Sequence, residues 1–254
     1  MAEKHALIKG EKKNYSEMDG IVKDIKNRTK DDAVVIELGG SVYQARSGNA
    51  YNEFKNYFPL DISSSSMQRY SEKFGRESII CDAQCLPFAD ESVDVIFTHT
   101  FLEHPINPDF VLKEVDRVLK KGGLVIHNDA WFVRWWQRFG IVGLKPFWNC
   151  GLKEKMIQIA ARITELKIVR LPPVILRRLF RMIFASRERL DLRFRQLQPN
   201  YDLHLYCDED AASSIDPIDV ICFYESRSYH TLSRLSFFQR LFHGNRYVAM
   251  QKKE

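Results

Sequence analysis

Three apolar segments of this chain each run into an acidic residue, and that repeated pattern constrains the fold more than any other feature. The acids are Glu37, Asp61 and Asp82, which lie in the segments 33–43, 57–62 and 78–83. Before Glu37, residues 34–36 are apolar at every position. Such a run is typical of a parallel strand that is buried on both faces. The pattern therefore predicts neighbouring parallel strands that carry carboxylates at their ends.

Helical and extended patterns alternate along the rest of the chain. The predicted elements are a helix at 17–28, strands at 93–99 and 124–129, a helix after Asp216, and two final strands at 229–235 and 246–252 around a loop at 236–245. This alternation predicts an α/β fold with a Rossmann-like, doubly wound and mostly parallel sheet.

The clearest helical signal lies between the fourth and fifth strands. Asn107 suits the N-cap, Pro108 suits the first helical position, and the pair at 122–123 suits the end because both residues are glycine. Apolar residues at helical spacing predict one buried stripe, which consists of Phe110, Val111, Val115, Val118 and Leu119.

Positive charge is concentrated in one part of the chain. The 254 residues carry a net charge of +5, yet residues 131–198 contain fifteen Lys and Arg against four Asp and Glu, together with all four tryptophans. This contrast predicts a core from 1–130 and a basic, aromatic helical insertion from 131–200. A C-terminal part from 201–254 is expected to complete the core sheet.

The composition places the chain among cytoplasmic proteins. No stretch has the length and apolarity of a signal peptide or a membrane span. The five cysteines lack zinc spacing, which predicts reduced thiols. We expect no metal centre, because a solvated loop is the better interpretation of the acidic group His204, Asp208, Glu209 and Asp210.

The ends of the predicted strands indicate a ligand site, because ligands of a doubly wound sheet bind outside the carboxyl ends of its strands. Asp61 can accept hydrogen bonds from ribose hydroxyls, and Asp82 can meet an adenine amino group. Gly39 and Gly40 allow a close approach of the backbone. A diphosphate ligand would need a full G-x-G-x-x-G turn, which the sequence lacks.

Three motifs follow in order after the third strand. They are D-A-x-x-L-P-F at 82–88, L-E-H at 102–104 and E-V-x-R-V-L-K-x-G-G at 114–123. Over residues 33–130 the sequence resembles class I methyltransferases that depend on S-adenosyl-L-methionine (SAM). It is nearest the branch of ubiquinone-biosynthesis and sugar or O-antigen methyltransferases. The resemblance implies SAM as cofactor and a seven-stranded sheet that ends in an antiparallel hairpin.

The resemblance also implies where the cofactor binds. It places Glu37, Gly39 and Gly40 beside the methionine part, Asp61 and Ile62 at the ribose, Asp82 and Ala83 at the adenine, and Thr98 near the reactive end. The family's first motif is acid-x-Gly-x-Gly-x-Gly, and here Ser41 and Tyr43 replace the later glycines. SAM has no diphosphate, so we expect the shortened turn to remain functional.

Three histidines at or soon after strand ends are candidates for a catalytic base: His99, His104 and His127. A hydroxyl nucleophile benefits from a base, and histidine serves near neutral pH. In the L-E-H motif, His104 has the alternative role of organising its loop. No Asn-Pro-Pro-Tyr type of motif follows the fourth strand, which favours oxygen or carbon as the acceptor.

The sequence therefore predicts an enzyme that methylates a hydroxyl of a small molecule, a sugar of a bacterial surface polysaccharide or its lipid-linked precursor. Two rival functions remain open. The altered glycine turn is compatible with a non-catalytic methyltransferase-like binding protein. The basic insertion is compatible with an RNA methyltransferase.

The insertion itself has three interpretations. The segments 131–139 and 172–189 combine arginines with apolar and aromatic residues, and Arg177, Arg178 and Arg181 share one side of a helix. The insertion can form a substrate lid whose arginines are solvated. It can instead lie on the anionic inner face of a membrane or hold a phosphate-bearing lipid. RNA binding ranks below both.

Overall fold

The chain forms two compact units. The computed structural model describes residues 18–40, 53–136, 146–185, 188–200, 210–233, 235–242 and 247–254. Of these, the first unit contains the residues within 1–101, 110–129 and 249–254, and the second contains those within 102–109 and 130–248. The three-part division of the chain into core, insertion and C-terminal part stays a prediction.

Nine strands are described. In chain order they are β1 Val34–Leu38, β2 Asn56–Asp61, β3 Ile79–Ile80, β4 Val93–His99, β5 Leu119–Asn128, β6 Phe194–Gln196, β7 Ser213–Ile215, β8 Tyr229–Thr231 and β9 Tyr247–Lys252. Seven of them form one sheet in the order β3-β2-β1-β4-β5-β9-β8. Strands β1 to β5 pair in parallel, whereas β6 and β7 form a separate antiparallel pair.

The predicted Rossmann-like α/β fold is confirmed, including the antiparallel hairpin of β8 and β9. The strand order reverses at β1, where Ile36 lies between Phe58 of β2 and Ile96 of β4. Val35 and Ile36 are fully buried, as their continuous apolar run predicts. In such a sheet, the carboxyl ends of the strands at the reversal border the ligand crevice.

The helices separate and follow these strands. Their bounds are α1 18–26, α2 Ser64–Phe74, α3 Pro108–Val118, α4 Leu152–Glu165, α5 Lys167–Ala185, α6 Pro217–Glu225 and α7 Phe237–Phe242. A short 3₁₀ helix spans Phe147–Asn149. Helix α2 begins after Ser63, whose side chain accepts from the Ser66 N–H, and ends at Gly75 in the left-handed conformation.

The boundary between α3 and β5 differs from the prediction. The helix ends at Val118 and the strand begins at once at Leu119, so the predicted glycine stop at 122–123 lies inside the strand. The register of β4 and β5 shifts in this region, and Gly122 has a φ of +76°. The predicted burial of Phe110 is also wrong, because this side chain is 52% exposed.

Two further elements differ from the sequence pattern. Strand β3 has only two residues, Ile79–Ile80, where six were predicted. The predicted loop at 236–245 contains α7, which a reciprocal cap explains. The Gln239 N–H donates to Ser236 Oγ, and the Ser236 N–H donates to Gln239 Oε1 at 2.8 Å.

Two of the four arginines of α5 are internal to the second unit rather than solvated. Arg178 and Arg181 are each 3% exposed, and both bind acids at the start of α6. Arg178 Nε donates to Asp216 Oδ2 at 2.8 Å, and Arg181 Nε lies 3.0 Å from Asp219 Oδ1. Asp216 also caps α6 by accepting from the Ile218 N–H. These residues form a buried ion-pair cluster that joins α5 to α6.

Replacing Asp216 with alanine is expected to lower the free energy of unfolding by about 3–5 kcal/mol, because it leaves Arg178 buried without its carboxylate. Denaturant unfolding measures this change. The matched control is Asp90→Ala, since Asp90 also binds an arginine, Arg117, but is exposed. The control should cost less than about 1 kcal/mol. Equal losses in the two variants would contradict a buried, stabilising role for the cluster.

Candidate active site

The carboxyl edge of the sheet in the first unit gathers most of the predicted cofactor residues. Glu37 and Asp61 lie near the ends of β1 and β2, Asp82 follows β3, and Thr98 lies near the end of β4. Parallel register fixes their placement, because Leu38 pairs with Thr98 across the reversal of strand order. The edge therefore presents three carboxylates on neighbouring strands.

Glu37 is the most unusual group at this edge. Its side chain is 1% exposed, and Oε2 accepts a hydrogen bond from the Tyr57 hydroxyl. The other oxygen, Oε1, is buried and has no hydrogen-bond partner among the described residues. Burial raises the pKa of Glu37 to about 7, against the lowering effect of Tyr57. A cationic ligand group would satisfy Oε1, so this side chain fits the amino group of the methionine part of SAM.

The glycine pair after β1 is required by the packing of the chain itself. Gly39 has a φ of +75°, and a Cβ there would lie 2.4 Å from Cδ2 of Phe101. A Cβ on Gly40 would lie 2.5 Å from Cβ of Pro59. Both glycine N–H groups donate to the Leu60 carbonyl, at 2.8 and 3.0 Å. The turn is thus a tight crossing over β2, while Ser41 and Tyr43 lie outside the described residues.

Asp61 and Asp82 are each held by a hydrogen bond from a nearby backbone N–H group. The Ser63 N–H donates to Asp61 Oδ1 at 2.7 Å, and the Gln84 N–H donates to Asp82 Oδ1 at 2.9 Å. Each carboxylate is thereby oriented by the backbone two residues later. Asp82 is exposed. Next to these acids, Ile62 is 72% exposed and Ala83 is 6% exposed.

Thr98 belongs to a buried polar network that sequence reasoning missed. Its hydroxyl donates to Asp129 Oδ2 at 2.6 Å and lies 2.8 Å from His127 Nδ1. Asp129 Oδ1 accepts from the Phe101 N–H at 2.8 Å, so the network fixes the chain after β4. Burial lowers the pKa of His127 to about 3. His127 is therefore neutral near pH 7 and is suited to positioning Thr98 rather than to accepting a proton.

The other two histidines have different surroundings. His99 is 2% exposed, and its Nδ1 accepts from the Asn128 side-chain amide at 3.0 Å, which leaves the ring proton on Nε2. His104 belongs to the second unit and its side chain is 38% exposed. Its Nδ1 lies 3.4 Å from Asp210 Oδ2. Of the three predicted bases, His104 combines solvent access with an orienting carboxylate.

Asp210 is the described member of the acidic group at 204–210. His204, Asp208 and Glu209 lie outside the described residues. The solvated loop predicted there therefore stays a prediction. The signal for Asp129 was the polar sequence at 127–129, which follows the apolar run at 124–126. Tyr57 gave no comparable signal, because its hydroxyl reaches Glu37 only once β2 lies beside β1 in the sheet.

Comparison with known proteins identifies the domain that carries this edge. A family model described as a methyltransferase domain matches residues 38–127. The part of the chain that forms this edge thus matches a methyltransferase domain. SAM is the cofactor that this match implies, and the buried Glu37 with its open oxygen is compatible with it. Residues 38–127 comprise α2, α3 and the strands β2 to β4, with most of β5.

The methyltransferase domain also has a curated relative. An uncharacterised protein of Methanocaldococcus jannaschii, MJ1123, is 38% identical over 80 residues, which cover 32% of this chain and 38% of the relative. The chain thus matches well under half the length of that protein.

Two solved structures cover most of the chain. A SAM-dependent methyltransferase of Methanosarcina mazei has 16% identity and a TM-score of 0.45, with 90% of this chain and 96% of that one covered. The YcgJ protein of Bacillus subtilis has 11% identity and a TM-score of 0.49, with 92% and 97% covered. At these TM-scores, neither likeness adds to what the strand order shows.

The stability of the methyltransferase domain is expected to depend on pH through Glu37. Its folded-state pKa of about 7 lies above the ordinary value of 4.5, so the folded state holds the proton more tightly. The resulting stability is fully present below the ordinary pKa and is lost as pH rises to the folded value. Thermal unfolding without SAM should therefore show a falling midpoint over this window.

The variant Glu37→Gln is neutral at every pH and keeps the shape of the side chain. It should remove this part of the pH dependence and match the wild type at the acid end of the window. An identical pH profile in wild type and variant would show that Glu37 is ionised in the folded protein.

Proposed function

We propose that this protein transfers a methyl group from SAM to a hydroxyl of a small molecule. The acceptor we propose is a sugar of a bacterial surface polysaccharide or of its lipid-linked precursor. The observation that carries methyl transfer is the methyltransferase match over residues 38–127, on a sheet whose carboxyl edge presents Glu37, Asp61 and Asp82. SAM supplies both the methyl group and its leaving group when bound.

The residues of the chain have the tasks of binding and orientation. Glu37 offers a buried anion for the amino group, and Asp61 offers a carboxylate for the ribose hydroxyls. Asp82 and Ala83 supply a polar and a small apolar contact for the adenine. The network of His127, Thr98 and Asp129 holds the segment after β4 in place, which restricts the orientation of whatever binds there.

We assign His104 as the base that accepts the proton of the acceptor hydroxyl. Asp210 Oδ2 lies 3.4 Å from its Nδ1 and Glu103 Oε1 lies 3.8 Å from its Nε2, so two carboxylates orient the ring. His99 and His127 are less suited, because both are buried and each already shares Nδ1 with a neighbouring side chain. A hydroxyl acceptor agrees with the absence of an Asn-Pro-Pro-Tyr type of motif after β4.

A pocket of the second unit supports a phosphate-bearing sugar as acceptor. Its volume is about 310 Å³, and Phe132 and Trp135 form part of its wall. The lining also carries four arginines, Arg134, Arg170, Arg177 and Arg195, and two acids, Glu165 and Asp216. Aromatic rings pack against sugar rings, and an excess of guanidinium groups suits a phosphate.

Replacing Asp61 with alanine is expected to weaken SAM binding at least roughly tenfold, because hydrogen bonds to a charged group are lost. Isothermal titration calorimetry measures the change. The control is Glu77→Gln, which alters an exposed acid of the same unit and should leave the affinity unchanged. If the affinity of the Asp61 variant equals that of wild type, Asp61 does not hold the ribose.

An assay of SAM consumption tests the activity across nucleotide sugars and lipid-linked glycans, with RNA as a third arm. Turnover is expected with a sugar acceptor, and His104→Gln should lower it by roughly 10²-fold or more. The matched control is His230→Gln, another exposed histidine of the second unit, which should keep full turnover. Turnover on RNA alone, or SAM binding without turnover on any acceptor, would overturn the proposal.

A further inference from the structure

Helices α4 and α5 each turn a stripe of large apolar side chains to the solvent. On α4 the stripe consists of Leu152, Met156, Ile159 and Ile163, which are 81%, 60%, 42% and 51% exposed. On α5 it consists of Val169, Leu176, Phe180 and Ile183, which are 46%, 71%, 50% and 53% exposed. We call these eight residues the apolar face.

The spacing of these residues shows that each stripe occupies one side of its helix. On α4 the intervals are four, three and four residues, and on α5 they are seven, four and three. Residues at such intervals lie above one another on a helix. The two helices contact each other and are separated by Leu166 alone, which is itself 53% exposed.

The opposite sides of the same helices bury polar groups. On α4, Gln158 is 4% exposed, and on α5 the buried residues include Arg178 and Arg181. Both arginines are ion-paired inside the unit, Arg178 with Asp216 and Arg181 with Asp219. A surface helix ordinarily has the reverse arrangement, with its apolar side inward. An exposed apolar area of this kind marks a contact with another phase or molecule.

The charges that accompany the apolar face are positive. Lys153, Arg162 and Lys167 are exposed on these helices. The acids of α4 are already engaged, because Glu154 accepts from the Gly151 N–H at 3.0 Å and Glu165 Oε1 lies 2.8 Å from Arg134 Nε. Beside the face, Trp148 is 83% exposed. Tryptophan is enriched where one side of a protein meets the boundary of a bilayer.

Two occupants could cover such a surface, a second copy of the chain or a lipid bilayer. In a two-fold dimer the same patch meets itself, so these exposed lysines and arginines would approach their own copies. An anionic bilayer complements them instead, and positively charged side chains near such a surface each favour binding. Among the described residues, no helix has the length and apolarity to cross a bilayer.

We propose that the apolar face docks onto the surface of a bilayer that contains anionic lipids. The eight side chains enter the boundary between headgroups and acyl chains, while Lys153, Arg162 and Lys167 contact the headgroups. This contact does not require methyl transfer, since none of these residues belongs to the cofactor edge. It would also bring the protein to a lipid-linked acceptor.

Co-sedimentation with vesicles tests the proposal, using phosphatidylcholine alone and phosphatidylcholine mixed with phosphatidylglycerol. Wild type should bind the anionic vesicles, and Leu176→Gln/Phe180→Gln should reduce partitioning at least roughly tenfold. The matched control is Phe110→Gln, which removes a similarly exposed aromatic from a helix of the first unit. It should bind as wild type does.

Two further measurements keep the test independent of folding and of activity. Lys153→Gln/Lys167→Gln should weaken binding only to anionic vesicles, and the fluorescence shift that vesicles induce in wild type should be lost in Trp148→Phe. SAM affinity should be unchanged in all these variants, which shows that the fold is intact. Failure of wild type to bind either vesicle would overturn the proposal. So would a dimer in sedimentation velocity that Leu176→Gln/Phe180→Gln dissociates.

Discussion

The candidate site depends on one buried carboxylate, Glu37, at the point where the strand order reverses. A buried charge is costly unless it is paired, and only one of the two oxygens has a partner among the described residues, Tyr57. The group therefore holds its proton to an unusually high pH, or it accepts a cation from outside. Beside it, Asp61 and Asp82 are oriented by backbone N–H groups. One buried anion with two oriented carboxylates suits a ligand that has a cationic end and a nucleoside end.

In the second unit, helix α5 has its polar side inside and its apolar side outside, which is the reverse of an ordinary surface helix. Its basic sequence predicted arginines that face solvent or a phosphate, yet Arg178 and Arg181 form ion pairs with Asp216 and Asp219 inside the unit. Once the polar side of α5 is internal, its apolar side is left on the outside. The same ion-pair cluster therefore joins α5 to α6 and also determines which side of α5 is available to a partner.

The parts of the fold that could be predicted are those that local sequence determines. The strands that end in acids were predicted from their apolar segments, and the family motifs between 82 and 123 predicted the methyltransferase domain. The features that the sequence did not predict depend on contacts between elements that are distant along the chain. Phe110 lies one position outside the buried stripe of α3, and Asp129 gains its role only because β4 and β5 are neighbours. The spacing of apolar residues could not predict which side of α5 faces inward. The ion pair with Asp216 determines that side.

We propose that the carboxyl edge of β1, β2 and β3 binds SAM with Glu37 at its cationic end. A crystal structure of the protein grown with SAM tests this most directly. We expect the amino group of SAM within hydrogen-bonding distance of Glu37 Oε1, with the ribose at Asp61 and the adenine beside Asp82 and Ala83. Density for SAM elsewhere, or a bound cofactor that leaves Glu37 Oε1 without a partner, would contradict it.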